Sequence, residues 1–162
     1  MLSELLKMSS SLSSLVDANP TLAVQQAREI NLDRPDRVNW MSLRAATLVN
    51  AGSSLGDQDA IDEGVELYRE LHGLYPTADV TYNLANGLVE AANCGSADSE
   101  WVDHQEHTRA HRAEARRHYW RVVQDVDADL ELRTQAWTNI GNLFAKTYRL
   151  SEAHDARLSA LK

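Results

Sequence analysis

Tyr82-Asn83-Leu84-Ala85-Asn86-Gly87 is the stretch on which the reading of this chain turns, because its core returns further on as Asn139-Ile140-Gly141-Asn142. Each copy lies in a segment whose apolar residues recur at helical spacing, so the echo marks a repeated helical unit. A second echo has its own register. Ala23, Ala27, Ile30 and Pro35 recur at one common offset as Gly64, Tyr68, Leu71 and Pro76. Repeated supersecondary units stack to bury a continuous core, and chains built this way act mostly as scaffolds for another molecule.

Composition narrows the fold class. The 162 residues are 43% hydrophobic, enough for one continuous core, with only 3 prolines, 7 glycines and a single phenylalanine. That balance favours helix over sheet, and an all-α fold is expected. Lys+Arg 16 against Asp+Glu 24 leaves a net charge of −8, which repels nucleic acid and anionic membrane at long range. The lone Cys94 cannot close an internal disulfide or build a cysteine zinc cluster, so a reducing cytoplasm is the expected compartment. No stretch approaches the roughly 18 to 20 apolar residues of a bilayer span, and the serines after Glu4 interrupt any signal-peptide core.

Helix boundaries follow from capping and breaking residues. A first helix ends near Asp17-Ala18-Asn19-Pro20, and the proline opens a second that carries Leu22, Ala23, Ala27 and Ile30 inward and stops before Asp33-Arg34-Pro35. A third, about 37–51, presents Trp40, Leu43, Thr47 and Leu48 and breaks at Gly52-Ser53-Ser54-Leu55-Gly56. Asp57 caps a fourth that ends at Gly73, and a fifth begins near Ala78. The stretch 93–103 reads as a long loop. A long sixth helix follows, carrying Ala115, Tyr119, Trp120, Val122, Val123 and Val126 on its apolar stripe. Trp137, Ile140, Gly141 and Phe144 mark a seventh helix, and Ala153, Ala156 and Ala160 an eighth.

These patterns resemble the tetratricopeptide repeat, a helix-turn-helix unit of about 34 residues. Trp137, Ile140, Gly141 and Phe144 match its first-helix positions and Ala153 and Ala160 its second-helix positions, with Arg157 in place of the usual aromatic. Gly64, Tyr68, Leu71 and Pro76 form an equally good second-helix signature. The resemblance implies a right-handed TPR-like solenoid of about four helix pairs with long insertions, in one domain over 1–162 with units near 1–35, 36–76, 77–128 and 129–162. It also implies a non-catalytic scaffold that receives a protein or peptide in its concave groove. More loosely, the 82–87 string and its echo resemble the repeat region that precedes HEPN-type ribonuclease domains in bacterial proteins. That implies the alternative of a sensor or assembly region within a larger effector.

In a TPR-like array the first helices line the groove, and one helical turn separates Asn83 from Asn86 and Asn139 from Asn142. Their amides, each with one acceptor and two donors, are suited to clamp a peptide backbone, or else to bridge neighbouring helices. Tyr82, Thr138, Lys146 and Arg44 are expected to share that surface, with Met41, Ser42 and Ala45 giving the third helix a more apolar wall and the insertion around Trp101 adding specificity. Arg109, Arg112, Arg116, Arg117 and Arg121, interleaved with His107, His111 and His118, form a cationic stripe suited to an anionic partner or an RNA backbone. Asp125, Asp127, Asp129 and Glu131 just downstream would compensate it, and the net charge disfavours nucleic acid.

Metal and catalytic readings are weaker. His104, His107 and His111 have a spacing that places imidazoles on one helix face, yet no cysteine ligand accompanies them. Asp125, Asp127 and Asp129 mimic a calcium loop, but Leu130 stands where the turn demands glycine and Ala136 where a bidentate glutamate belongs. No phosphate-cradling glycine loop, nucleophile elbow or His-Glu-x-x-His motif occurs. Arg112 and His118 have a spacing that a HEPN ribonuclease uses, but they fall within a repeat helix. No enzyme, cofactor or metal is expected. An apolar face near Ala160-Leu161-Lys162, lacking a polar capping helix, is expected to be covered by a further domain or by self-association.

Overall fold

The computed structural model describes residues 2–94 and 101–160, with side chains for 3–94 and 106–145. Its described residues form seven α-helices and no strand: α1 (Leu2–Ala18), α2 (Pro20–Arg28), α3 (Arg37–Leu55), α4 (Gln58–Leu74), α5 (Ala78–Asn93), α6 (Trp101–Gln124) and α7 (Leu130–Ala160). The expected all-α class is therefore observed. Among the described residues, no helix is long and apolar enough to cross a membrane.

Local chemistry sets the boundaries. Asn19 Oδ1 accepts from the Leu22 amide at 3.1 Å, with Pro20 in the first helical position. Asp57 Oδ1 accepts from Ala60 N at 3.0 Å, Thr77 Oγ1 from Val80 N at 3.3 Å, and Asp129 Oδ1 from Leu132 N at 2.8 Å. Gly56 ends α3 in the left-handed region, φ 68°, where a side chain would be strained. Asp125 and Asp129 thus serve the turn into α7, the former accepting from the Asp127 amide at 3.0 Å. No calcium loop is needed to explain them.

Each helix packs on its neighbours in sequence, and α1, α3, α5 and α7 also touch in succession. The largest core cluster runs from Met41, Ala45 and Val49 through Val65, Tyr68, Leu84 and Leu88 to Tyr119, Val122 and Ile140, joining α3 to α7. Smaller clusters hold the first helices: Ala23, Val24 and Ala27 against Leu48, Ala51 and Ala60, and Leu12 with Ile30 against Trp40. Glycines allow the closest approaches. A Cβ on Gly64 would stand 2.7 Å from Val49 Cγ2 and 2.9 Å from the Ala45 carbonyl oxygen, and one on Gly87 would meet Val65 Cγ2 at 3.1 Å.

Several sequence expectations are corrected. Gly52 does not break α3, which continues to Leu55, because the glycine is buried where a side chain would meet Ile61 and Ala60. The second helix ends at Arg28, short of Ile30. Residues 101–103 are helical, whereas 95–100 lie outside the described residues. The expected seventh and eighth helices are one 31-residue helix, since Ala145-Lys146-Thr147-Tyr148-Arg149-Leu150-Ser151-Glu152 contains neither glycine nor proline to stop it. The side chains of Ala153, Ala156, Arg157 and Ala160 lie outside the described residues.

The echo also fails to give equal environments. In α5, which packs against α6 and α4, Thr81, Ala85 and Leu88 are buried. Their counterparts in α7 are Trp137, 51% exposed, Gly141, with open space where a Cβ would stand, and Phe144, 41% exposed. Leu22, Trp120 and Val126, all expected inward, are exposed as well.

Candidate functional site

A groove with a volume of about 480 Å³ lies where α1, α3 and α5 meet. Residues of α3 at helical spacing, Asn39, Ser42, Leu43, Ala46 and Asn50, form its longest wall. Leu5, Leu6 and Ser9 of α1 face them, and Asn83, Asn86 and Gly87 of α5 close the other side, with Val49 and Tyr68 beneath. Burial pushes the Tyr68 phenol well above its usual pKa, so it stays protonated.

The four asparagines divide between two roles. Asn83 lines the groove, half-buried, and its amide makes no hydrogen bond with the described residues. Asn86 faces the groove too, but its Oδ1 accepts from the Tyr119 hydroxyl at 2.6 Å and from Asn139 Nδ2 at 3.3 Å. Asn139 Nδ2 also reaches the hydroxyls of Tyr82 and Tyr119, each at 3.2 Å. This knot ties α5, α6 and α7, so Asn86, Asn139 and Tyr82 perform the helix-bridging role that the sequence left open. Desolvation, joined by the neighbouring Tyr82, raises the Tyr119 pKa and keeps its proton in place. Asn142 is exposed on α7, and Thr138 spends its hydroxyl on the Thr134 carbonyl at 3.0 Å. The Lys146 and Trp101 side chains lie outside the described residues.

Arg44 is not brought into the groove. It projects about 200° round α3 from Ser42, and its Nη2 donates to Glu63 Oε1 at 2.6 Å while Arg28 Nε donates to Oε2 at 2.8 Å. Burial raises the Glu63 pKa, but the two arginine hydrogen bonds outweigh it and the carboxyl titrates below its usual range. Met41 and Ala45, expected on the groove wall, are wholly buried in the core. Asn39 and Asn50 were missed by the sequence reading. The helical spacing of Asn39, Ser42, Leu43, Ala46 and Asn50 was the available signal, and Met41 and Ala45 belong to the adjoining buried face.

The arginines of α6 do not form one patch. Arg109 and Arg116 are exposed, and the Arg116 guanidinium lies 5.6 Å from the centre of the Phe144 ring. Arg112 is half-buried, its Nε has no hydrogen-bond partner among the described residues, and desolvation lowers its pKa. Arg117 and Arg121 turn instead toward α4. The His107 and His111 rings meet edge to face at 4.0 Å, while the His104 side chain is outside the described residues. Among the described residues, no three His, Cys, Asp or Glu side chains are grouped to hold a metal ion.

The fold and this groove define an all-helical array whose open site is walled by amides, serine hydroxyls and aliphatic groups. Compared with known proteins, the chain matches no family model, no curated protein and no solved structure.

Proposed function

We propose that the chain is a TPR-like docking scaffold that binds an extended segment of another protein between α1, α3 and α5 without transforming it. The observation that carries this reading is the groove: Asn39, Asn50 and Asn83 present side-chain amides that make no hydrogen bond with the described residues, around an apolar floor. Amides in that position satisfy a peptide backbone irrespective of its side chains, while Leu5, Leu6, Leu43 and Ala46 accept apolar residues. The succession of contacts along α1, α3, α5 and α7 supports a solenoid, in which first helices line the inner wall. The uneven lengths of the helices agree with a degenerate array rather than regular repeats.

A second reading, an assembly region of a larger effector, is favoured by the exposed Trp137 and Phe144 on α7. These rings meet Trp120 and Arg116 of α6 yet stay half exposed, whereas their counterparts on α5 are buried, so the face is suited to further cover from another domain or copy.

Selection of peptides from a random extended library, followed by calorimetric titration, tests the docking reading. Ala46→Trp fills the groove and should weaken the selected peptides by about tenfold or more, and Asn83→Ala, which leaves the core untouched, by about three- to tenfold. Equal affinity for both variants and the parent protein would refute groove binding.

A further inference from the structure

A second depression, of about 280 Å³, lies between α4 and α6, with Leu84 of α5 at its apolar side. Its polar lining is Arg69 and His72 from α4 and Glu114, Arg117, His118 and Arg121 from α6. In a chain of net charge −8, three guanidinium groups and two imidazoles meet here around one carboxylate. That carboxylate is already engaged: Arg69 donates to Glu114 from Nη2 at 2.8 Å and from Nε at 3.4 Å, and also pairs with Glu66. Arg117 and Arg121, one turn apart, have no ion pair among the described residues.

The histidines carry the argument inward. His118 is 8% exposed, and its buried Nδ1 has no hydrogen-bond partner among the described residues. Its ring meets that of His72 edge to face, 5.1 Å between centres. A buried polar atom without a partner costs free energy, and an apolar pair would pack this interface as well. Burial chiefly, and then the adjoining cations, depress both imidazole pKa values: His72 and Arg121 act on His118, and Arg121 acts on His72. Glu114 opposes this only in part. Among the described residues Glu114, whose Oε1 lies 3.8 Å from His118 Nε2, is the one carboxylate lining the crevice, set against three guanidinium groups and two imidazoles.

We propose that this crevice binds a phosphate dianion, free or as a monoester, gripped by the Arg117 and Arg121 guanidinium groups and by His72 and His118 in their protonated form. Paired guanidinium forks match the oxygens of a tetrahedral oxyanion, and the bound charge supplies what the imidazoles need to take up protons. Because binding draws those protons in, affinity for a non-titrating oxyanion rises as pH falls. The site is distinct from the groove and does not depend on the docking proposal.

The test is titration of the intact chain with sulfate at constant ionic strength, read by histidine ring NMR with chloride as control. Saturable shifts are expected at His72 and His118, with sulfate affinity rising about tenfold between pH 7.5 and 5.5, the factor for one imidazole whose pKa moves by about one unit. Arg117→Ala/Arg121→Ala should lose about tenfold or more of that affinity. His118→Gln should bind with a flattened pH profile, and circular dichroism confirms that each variant is folded. Inorganic phosphate and phosphoserine, compared at pH 7.5, distinguish a free from an esterified ligand. Shifts that chloride reproduces, that fail to saturate, or that persist in the folded double variant would overturn the proposal.

Discussion

Replacing Gly64 by alanine sets helix propensity directly against packing. In an exposed helix interior the change stabilises by about 0.5 to 1 kcal/mol, because alanine loses less backbone freedom on folding. At Gly64 the new Cβ would stand 2.7 Å from Val49 Cγ2, 2.9 Å from the Ala45 carbonyl oxygen and 3.1 Å from the Val49 amide nitrogen. The valine can rotate; the Ala45 and Val49 backbone atoms cannot move without shifting α3. Overpacking of this kind costs about 1 to 3 kcal/mol. A net destabilisation of about 1 to 2 kcal/mol is therefore expected. Gly141→Ala is the matched control, since nothing lies within 4 Å of its Cβ, and it should stabilise by about 0.5 to 1 kcal/mol. Urea unfolding of both variants, with unchanged m-values, reads the two signs. A Gly64→Ala protein as stable as the parent would refute the close α3–α4 contact.

Three further outcomes are expected. Trp40, 2% exposed and donating from Nε1 to Asp36 at 2.9 Å, should cost about 3 to 5 kcal/mol when truncated to alanine, while Trp137→Ala should cost under about 1 kcal/mol, both measured by urea unfolding. Tyr119→Phe should cost about 1 to 1.5 kcal/mol in the same assay, because it removes the donor to Asn86 and an acceptor for Asn139. Acid should destabilise the fold in two windows. Burial, aided by neighbouring cations, lowers the folded-state pKa of His72, His111 and His118 below 6.5, so the unfolded chain takes up protons first and stability falls as pH drops from about 6.5 through the lowered values. Glu63 and Glu114, held below 4.5 by their arginines against the opposing effect of burial, add a second loss below about pH 4.5. His118→Gln should flatten the first window in pH-dependent unfolding, and Glu63→Gln the second; unchanged profiles would contradict the assignments.

How much of this was legible in the sequence depended on whether a feature was local. Asn19-Pro20, Asp57 and the turn after Pro76 state their boundaries in a few residues, and the structure uses them as caps. Gly52 misleads because a glycine that permits close packing looks the same in sequence as one that breaks a helix. Trp137 and Phe144 mislead for a related reason: spacing identifies a face but not how fully a neighbour covers it, and α6 brings Trp120 and Arg116 against these rings while leaving them half exposed. At the site, the asparagine echo left Asn139 open between a ligand and a neighbouring helix, because its partners Tyr82, Asn86 and Tyr119 are contacts that cross from α7 to α5 and α6. Arg44 was misplaced because its partner, Glu63, belongs to another helix. The placement of Arg117 and Arg121 near His72 likewise depends on side chains of α4 and α6 meeting beside α5.

The hydroxyl and amide cluster joining α5, α6 and α7 constrains how this chain can diverge. Asn139 has two amide protons and three oxygens within 3.3 Å, and the ring closes when those protons go to the two tyrosine oxygens while Tyr119 donates to Asn86. Changing one member alone leaves a donor or acceptor stranded on another helix. Positions 82, 86, 119 and 139 should consequently drift as a coordinated set across descendants of this sequence, with wholesale replacement by aliphatic residues tolerated more readily than any single step toward it.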